Sequence, residues 1–478
     1  MDAALAERPS VAQGRLRGFQ SVDVECAPTD LPVRGNLPDW LAGTYLLNGP
    51  AQWELPKRSY RHWFDGLALL HGFRIRDGRV RYRSRFLQSQ DWRESHAKGR
   101  PELGGFDTPV SGGLLSRLIH VLNPRRSDNG CVVVSRCDGQ WLAVTESDRV
   151  TRFDVESLAT QGELAWTDGA KQPLMAAHPC VDGTGRWWNV GAILGPTCQY
   201  VLFTCDRSGR RDVKARIAVK RTGYLHAFAM TATQAVIWEC AWRAHPLRFL
   251  LAGESYARHF DWLPAGGSRL HTVHLSNGAV HSWDAPPLML FHAAQAFDAG
   301  ADVALDLCLQ DIAVVDELQI DRLRAGLPTG GTIARHVRFV LSPGASAARE
   351  QALPGRFELP QVNAAAAAKG AVRYVWGATT SDDTPGAFFN RTIKVDLQTG
   401  EVRLAGSDDA VALEPLFVPN PRGVTESDGV LLVHTLADND PGSRIRVLDA
   451  GSLDERAVIE LPHVIPFGFH GAWMAATR

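Results

Sequence analysis

The sequence predicts an all-β fold whose strands close on themselves, a propeller of small sheets around a central channel, on three observations. Apolar and polar residues alternate with period two in segment after segment, two-residue turn signals punctuate those segments, and stretches with a helical period are scarce. Strands this numerous need a closed or doubled arrangement to dispose of their edges, and a propeller suits 478 residues.

The alternation runs through Val80-Arg81-Tyr82-Arg83, Trp141-Leu142-Ala143-Val144, Thr392-Ile393-Lys394-Val395 and Ile445-Arg446-Val447-Leu448. Each is expected to be a half-buried strand, because successive side chains point to opposite faces. Asp77-Gly78, Asp138-Gly139, Asp182-Gly183, Thr399-Gly400, Asp428-Gly429 and Pro441-Gly442 supply the residues that tight hairpins need. The result is a succession of antiparallel meanders. Residues 112–121, with Leu114, Leu115, Leu118 and Ile119 on one face, are a helical candidate, and 363–369 are a second. No identical repeat occurs, so the number of blades does not follow from the residues. Nothing reads as an interdomain linker, so 1–478 is taken as one domain with 1–20 as a flexible N-terminal segment.

Composition narrows the function. With 45% hydrophobic and 22% charged residues the chain can bury a large core, and 51 basic against 52 acidic residues remove the electrostatic footprint of a nucleic-acid-binding protein. The first twenty residues mix Asp2, Glu7, Arg8 and Arg15 with small residues and lack the apolar centre of a secretory signal, which leads to a reduced, cytoplasmic setting. The eight cysteines contain no Cys-x-x-Cys pair and read as reduced core thiols. No apolar run is long enough to span a bilayer. One segment differs: Pro246-Leu247-Arg248-Phe249-Leu250-Leu251, followed by Phe260-Asp261-Trp262-Leu263-Pro264, sets large apolar residues among basic ones. It reads either as a buried loop or strand pair, or as a patch at 246–264 that touches a membrane around the mouth of an apolar tunnel.

Sixteen histidines are present, and a single histidine is more often structural than a ligand. His271 and His274 lie three apart on an expected strand, point to opposite faces and make no metal clip. Four others sit among apolar and aromatic neighbours: Ala177-His178-Pro179, Tyr224-Leu225-His226-Ala227-Phe228, Leu290-Phe291-His292-Ala293 and Phe467-Gly468-Phe469-His470-Gly471. A buried imidazole must use both nitrogens, and the inner strands of a propeller can each deliver one such side chain to a shared axis. Neutral imidazoles without thiolate or carboxylate suit Fe, Cu, Zn or Ni and leave the metal open. Glu146, Glu358 and Glu414 stand in apolar company, where an isolated carboxylate is costly, and they read either as exposed or ion-paired glutamates or as acceptors for the second N–H of metal-bound histidines.

At these residues the chain resembles the carotenoid cleavage oxygenase family, from about Gly43 to Trp473. The resemblance is carried by Gly43-Thr44-Tyr45-Leu46-Leu47-Asn48-Gly49-Pro50, by His62-Trp63-Phe64-Asp65-Gly66-Leu67-Ala68-Leu69-Leu70-His71, by the four histidine segments, by Phe357-Glu358-Leu359-Pro360-Gln361 and by Pro466-Phe467-Gly468-Phe469-His470-Gly471. It implies a seven-bladed propeller with a helical and loop cap, one Fe(II) per chain on His178, His226, His292 and His470, and no organic cofactor. It also implies Glu146, Glu358 and Glu414 behind those ligands, Thr145 beside a dioxygen pocket, and His62 and His71 as motif residues that are not ligands. Arg85-Phe86-Leu87-Gln88-Ser89 and Val144-Thr145-Glu146-Ser147 look like the animal-type carotene oxygenases and the vertebrate retinoid isomerase. Stilbene-cleaving members instead carry a lysine near the position of Glu146, and none stands here. Cys180 and Ala293-Ala294 depart from the family's usual residues beside two ligands.

The expected activity is therefore dioxygenase cleavage of a carbon–carbon double bond in an apolar polyene, a carotenoid or apocarotenoid. Dioxygen is the co-substrate, and the central 15,15′ bond, giving retinal, is the first position to expect. The alternatives are cleavage of a stilbenoid or other aryl alkene, isomerising hydrolysis of a retinyl ester, and a metal-free binding scaffold.

Overall fold

In the computed structural model, which describes residues 14–110, 125–168, 174–245, 248, 254–382 and 386–476, seven antiparallel blades stand in a ring. The second blade runs from Val133–Cys137 to Thr160–Glu163, the third from Leu174–Met175 to Arg211–Val219, and the fourth from Ala229–Met230 to Val280–Ala285. The fifth runs from Leu290–Ala299 to Arg349–Arg356 and the sixth from Glu358–Gln361 to Val402–Gly406. The ring is closed twice by exchange of strands between the two ends of the chain. His470–Ala475 pairs with Gly43–Gln52 in the first blade, Asn48 opposite His470. Val33–Gly35 pairs with Glu455–Glu460 at the outer edge of the seventh blade, whose inner strand is Ala410–Pro419.

The four alternating segments all form strands: Arg79–Phe86, Gln140–Val144, Arg391–Asp396 and Arg444–Asp449. At Asp77-Gly78 and Asp138-Gly139 both residues have positive φ, 50° and 71°, and 46° and 85°, as tight hairpins with the twist of their strands require. Between blades lie separate apolar layers. Trp188 and Tyr200 of the third blade pack with Phe228 and Ile237 of the fourth, and Trp376 of the sixth stacks on Phe417 of the seventh at 4.7 Å. At about 1.5–3 kcal/mol for each fully buried large side chain, these layers hold neighbouring blades together around a larger central cluster that includes Leu70, Ala143, Tyr224, Phe291, Leu359 and Leu413.

The helix at Ala364–Ala367, capped by Asn363, lies where 363–369 was expected, whereas the candidate at 112–121 falls outside the described residues. A helix at Gln90–Lys98 was not expected, because its exposed face is polar and it has no apolar stripe. The reading of 1–20 as flexible needs correction from residue 14 onward: Gly14–Phe19 form a 3₁₀ turn docked on the ring. Phe19 is fully buried against Trp63, Phe388 and Phe467, and Arg15 pairs with Asp438 at 2.5 Å. Of the segment 246–264, residues 246–247 and 249–253 lie outside the described residues. Phe260–Trp262 forms a two-stranded ribbon with Trp242–Ala244, the strand-pair reading for that part. Among the described residues no helix is long and apolar enough to cross a membrane.

Candidate metal centre

The innermost strands of successive blades lie side by side around the axis, and their ends carry the histidines. His470 opens the inner strand of the first blade, and His292 sits in a bulge of Leu290–Ala299, where the ladder skips from Leu290 to Ala293. His178 lies between the short inner strands Leu174–Met175 and Cys180–Val181 of the third blade, His226 precedes the inner strand of the fourth, and the two are joined through backbone: the Ala177 N–H donates to the His226 carbonyl at 2.8 Å. A bulge re-aims a side chain that regular alternation would send elsewhere. Glu414 stands in another, between Ala412 and Pro415, and Glu358 opens the sixth blade beside Leu359, which is held at φ 53°.

The structure brings His178, His226, His292 and His470 together, with one ring nitrogen from each within 4.8 Å of the others. Three carboxylates stand behind them. Nδ1 of His226 lies 2.6 Å from Glu146, Nδ1 of His292 lies 2.5 Å from Glu358, and Nδ1 of His470 lies 2.8 Å from Glu414. Each pair joins different blades: fifth to sixth, first to seventh, and fourth to second. Backbone amides fix two of the carboxylates, both at 2.7 Å: Leu359 N–H donates to the Glu358 oxygen that His292 also meets, and Gly471 N–H to the second oxygen of Glu414. Gln361 adds a bond to Glu414 at 2.9 Å.

This arrangement sets the tautomers. A carboxylate accepts, so Nδ1 donates and each Nε2 keeps its lone pair. Nε2 of His292 and Nε2 of His470 then face one another at 3.1 Å with two lone pairs and no proton between them. Nε2 of His178 is buried with no hydrogen-bond partner. Converging lone pairs repel unless a cation sits among them, and neutral imidazoles are metal ligands. Burial, and then the neighbouring histidines, hold His178 and His226 well below the usual imidazole range, so both are neutral at pH 7. The residues fit a divalent transition metal. Glu146 is pushed up to about 8 by burial, against hydrogen bonds from Tyr224 and Tyr256. A cation on the four nitrogens favours its ionised form.

Above the histidines opens a cavity of about 810 Å³, whose walls include Trp63, Phe64, Phe106, Phe291, Phe389 and Phe469. Phe64 meets Phe106, Phe291 and Phe469 edge-on at 5.1–5.5 Å, which keeps the wall rigid. Long connections between strands roof the cavity through Leu103, Tyr256, Leu318 and Thr332, and Thr145 and Glu146 line it. No lysine lines it among the described residues.

Three other histidines lie outside the cluster. His62 caps the 3₁₀ turn Trp63–Asp65, His71 contacts the Tyr82 hydroxyl at 2.9 Å, and His271 contacts Ser282 at 2.8 Å. Sequence reasoning missed the role of Tyr224, whose hydroxyl donates to Glu146, and of Tyr256, which also bonds that carboxylate. The signal was available for one of them: in an extended segment, Tyr224 and His226 lie on the same side.

A family model described as retinal pigment epithelial membrane protein matches residues 19–475. The chain is 32% identical over 502 residues to carotenoid cleavage dioxygenase 8 homolog A, chloroplastic, of rice, covering 97% of this chain and 88% of that protein. It is 25% identical over 520 residues to the mouse beta,beta-carotene 15,15′-dioxygenase, covering 95% and 90%. Among solved structures, cobalt-substituted apocarotenoid oxygenase of Synechocystis superposes with a TM-score of 0.86 at 25% identity, over 97% of this chain and 98% of that one. With its seven blades, its ring of four histidines and a match over nearly its whole length, the chain belongs to the carotenoid cleavage oxygenase family.

Proposed function

We propose that this protein is an Fe(II)-dependent dioxygenase that cleaves one carbon–carbon double bond of a carotenoid or apocarotenoid into two carbonyl products, with the central 15,15′ bond as the first position to test. The observation that carries this is the convergence of unprotonated imidazole nitrogens, 3.1 Å apart for His292 and His470, at the floor of an aromatic cavity. What Fe(II) supplies when bound is a redox-active Lewis acid with coordination capacity beyond four imidazoles, the chemistry dioxygen needs before it adds to an alkene.

The chain's own residues do the rest. Glu146, Glu358 and Glu414 hold the Nδ1 protons of three ligands and so fix which nitrogen faces the axis. Phe64, Phe106, Phe291 and Phe469 hold an extended apolar molecule, exclude water and place one double bond over the histidines, so register in the cavity decides the products. Thr145 lines the same space, where it is assigned to the dioxygen side. Two features favour a polyene over a phenolic stilbene: no described lining residue is a lysine, and both tyrosine hydroxyls near the metal are engaged by Glu146.

The test is aerobic incubation of iron-loaded protein with β-carotene, β-apocarotenals and resveratrol in detergent, with products identified by mass. Retinal supports central cleavage and other apocarotenals move the bond. Aromatic aldehydes from resveratrol alone overturn the substrate, and product formed without dioxygen overturns the reaction. The reading includes peripheral membrane contact through 246–264, where Leu263 is 36% exposed beside Trp262. Vesicle co-sedimentation undiminished by Leu263→Asp would count against it. It also includes the cytoplasmic setting, against which the rice relative is named chloroplastic, and cell fractionation decides between them.

A further inference from the structure

A second cavity, of about 220 Å³, lies between the first and second blades and shares no lining residue with the metal cavity. Arg74, Arg81, Arg83, Tyr82 and Thr44 form one side of it, and Val155 and Glu156 the other. Its chemistry follows from the register of one hairpin. In Arg74-Ile75-Arg76-Asp77-Gly78-Arg79-Val80-Arg81-Tyr82-Arg83-Ser84-Arg85 every second residue of the outgoing strand is arginine, so all of these point to one face. The tight turn at Asp77-Gly78 then sets Arg74 directly opposite Arg81, and Arg76 directly opposite Arg79. Like charges in such cross-strand pairs repel.

The local anions answer this charge only in part. Arg74 pairs with Glu156 at 3.3 Å and Arg76 with Asp77 at 3.6 Å. Asp154 accepts from the Ser157 amide and hydroxyl at 2.8 and 2.6 Å, both on one oxygen, and its carboxylate lies near enough to Arg83 to offset part of that charge without forming an ion pair. Among the described residues Arg79, Arg81 and Arg83 form no ion pair, and Nε of Arg85, next along the same face, is buried without a hydrogen-bond partner. Within the cavity wall, three guanidiniums therefore meet a single carboxylate. Arg74 and Arg81 are exposed, and Arg83 is half-buried where the hairpin faces Val155 and Glu156 of the second blade.

We propose that this cleft binds a phosphate group, with the forked guanidiniums of Arg81 and Arg83 as its principal donors and Arg74 as a third. Arg74, Arg81 and Arg83 outnumber the nearby carboxylates of Glu156 and Asp154 by one charge, and their planar N–H pairs match a phosphate's oxygens in geometry. The phosphate is either free or carried on a lipid headgroup, and the two sources share the recognition chemistry.

The test uses the full-length, metal-loaded protein. Calorimetric titration with inorganic phosphate and pyrophosphate addresses the free source. Co-sedimentation with phosphatidylcholine vesicles, with and without phosphatidic acid, addresses the lipid source. Saturable binding in either arm, weakened roughly tenfold or more by the Arg81→Gln and Arg83→Gln double variant, is the expected result, since each substitution removes charge-assisted hydrogen bonds. Both side chains lie at the protein surface, and the variant should melt at or above the wild-type temperature because a like-charge pair is relieved. Absence of binding in both arms, or binding that the double variant leaves unchanged, overturns the site. Arg74→Gln, tested alone, should weaken binding less than the double variant; an equal or greater loss overturns the assignment of principal donors. Carotenoid cleavage and metal content are unaffected by these variants in the expected outcome.

Discussion

His292 and His470 show how little freedom a ligand side chain keeps once its second nitrogen is engaged. Each Nδ1 is held by a buried carboxylate that is itself tied to a backbone amide, so the ring can neither flip nor change tautomer without losing its bond to an acceptor fixed in place. Glu358→Gln should therefore lower iron affinity by about 10- to 100-fold while the fold persists. Metal analysis after dialysis, alongside a melting curve, checks both halves. His226→Ala should lose iron and activity together, and a metal-free variant with full activity would remove His226 from the ligand set. At this scale the sequence marked these histidines as buried, because one that follows Phe469, or Phe291, is hard to explain as a surface residue, whereas their grouping as one set of ligands came from the family resemblance. What was not legible is the partnership of Tyr224 and Tyr256 with Glu146, since Tyr256 comes from a roof segment whose position depends on tertiary folding.

Secondary elements were readable where periodicity and turn chemistry agreed and silent where tertiary contacts decide. The hairpins at Asp77-Gly78 and Asp138-Gly139 needed only local residues, whereas the bulges that aim His292 and Glu414 interrupt alternation in ways no period announces. The helix Gln90–Lys98 was missed for a related reason. It is specified by its ends, with Ser89 accepting from the Trp92 amide at 3.1 Å and Gly99 in the left-handed region at φ 67°. Ser89→Ala should cost about 1 kcal/mol, measurable as a lower denaturant midpoint with unchanged slope. An unchanged midpoint would show that the helix is held by its neighbours alone.

For the molecule as a whole, blade number and closure lay beyond the residues themselves. The sequence holds no repeat, and the strands that seal the ring come from opposite ends of the chain. The interior also carries neutral histidines remote from the metal. Burial lowers His71 and His434 to about 3 and His62 to about 4. A folded pKa depressed below the unfolded value near 6.5 means that the unfolded chain takes up protons first. Their stabilisation is thus complete above pH 6.5 and is lost progressively as pH falls toward 3. Neither nitrogen of His434 has a hydrogen-bond partner, so His434→Leu should leave the melting temperature at pH 7 little changed and flatten its decline between pH 6.5 and 4. A decline as steep as wild type would remove His434 from the acid response.

Each carboxylate–histidine pair crosses from one blade to another, the fifth to the sixth, the first to the seventh and the fourth to the second. Thermodynamic linkage follows: an ion gripped by those histidines favours the closed ring over any opened or unfolded form by RT ln(1 + [M]/Kd), about 2.7 kcal/mol at a hundredfold excess over Kd. A melting curve recorded against free Fe(II) is then a binding isotherm for the whole ring, and damage at a blade seam far from the axis would register as weaker metal affinity. Chelation that left the melting temperature unmoved would show the blades and the metal to be energetically independent.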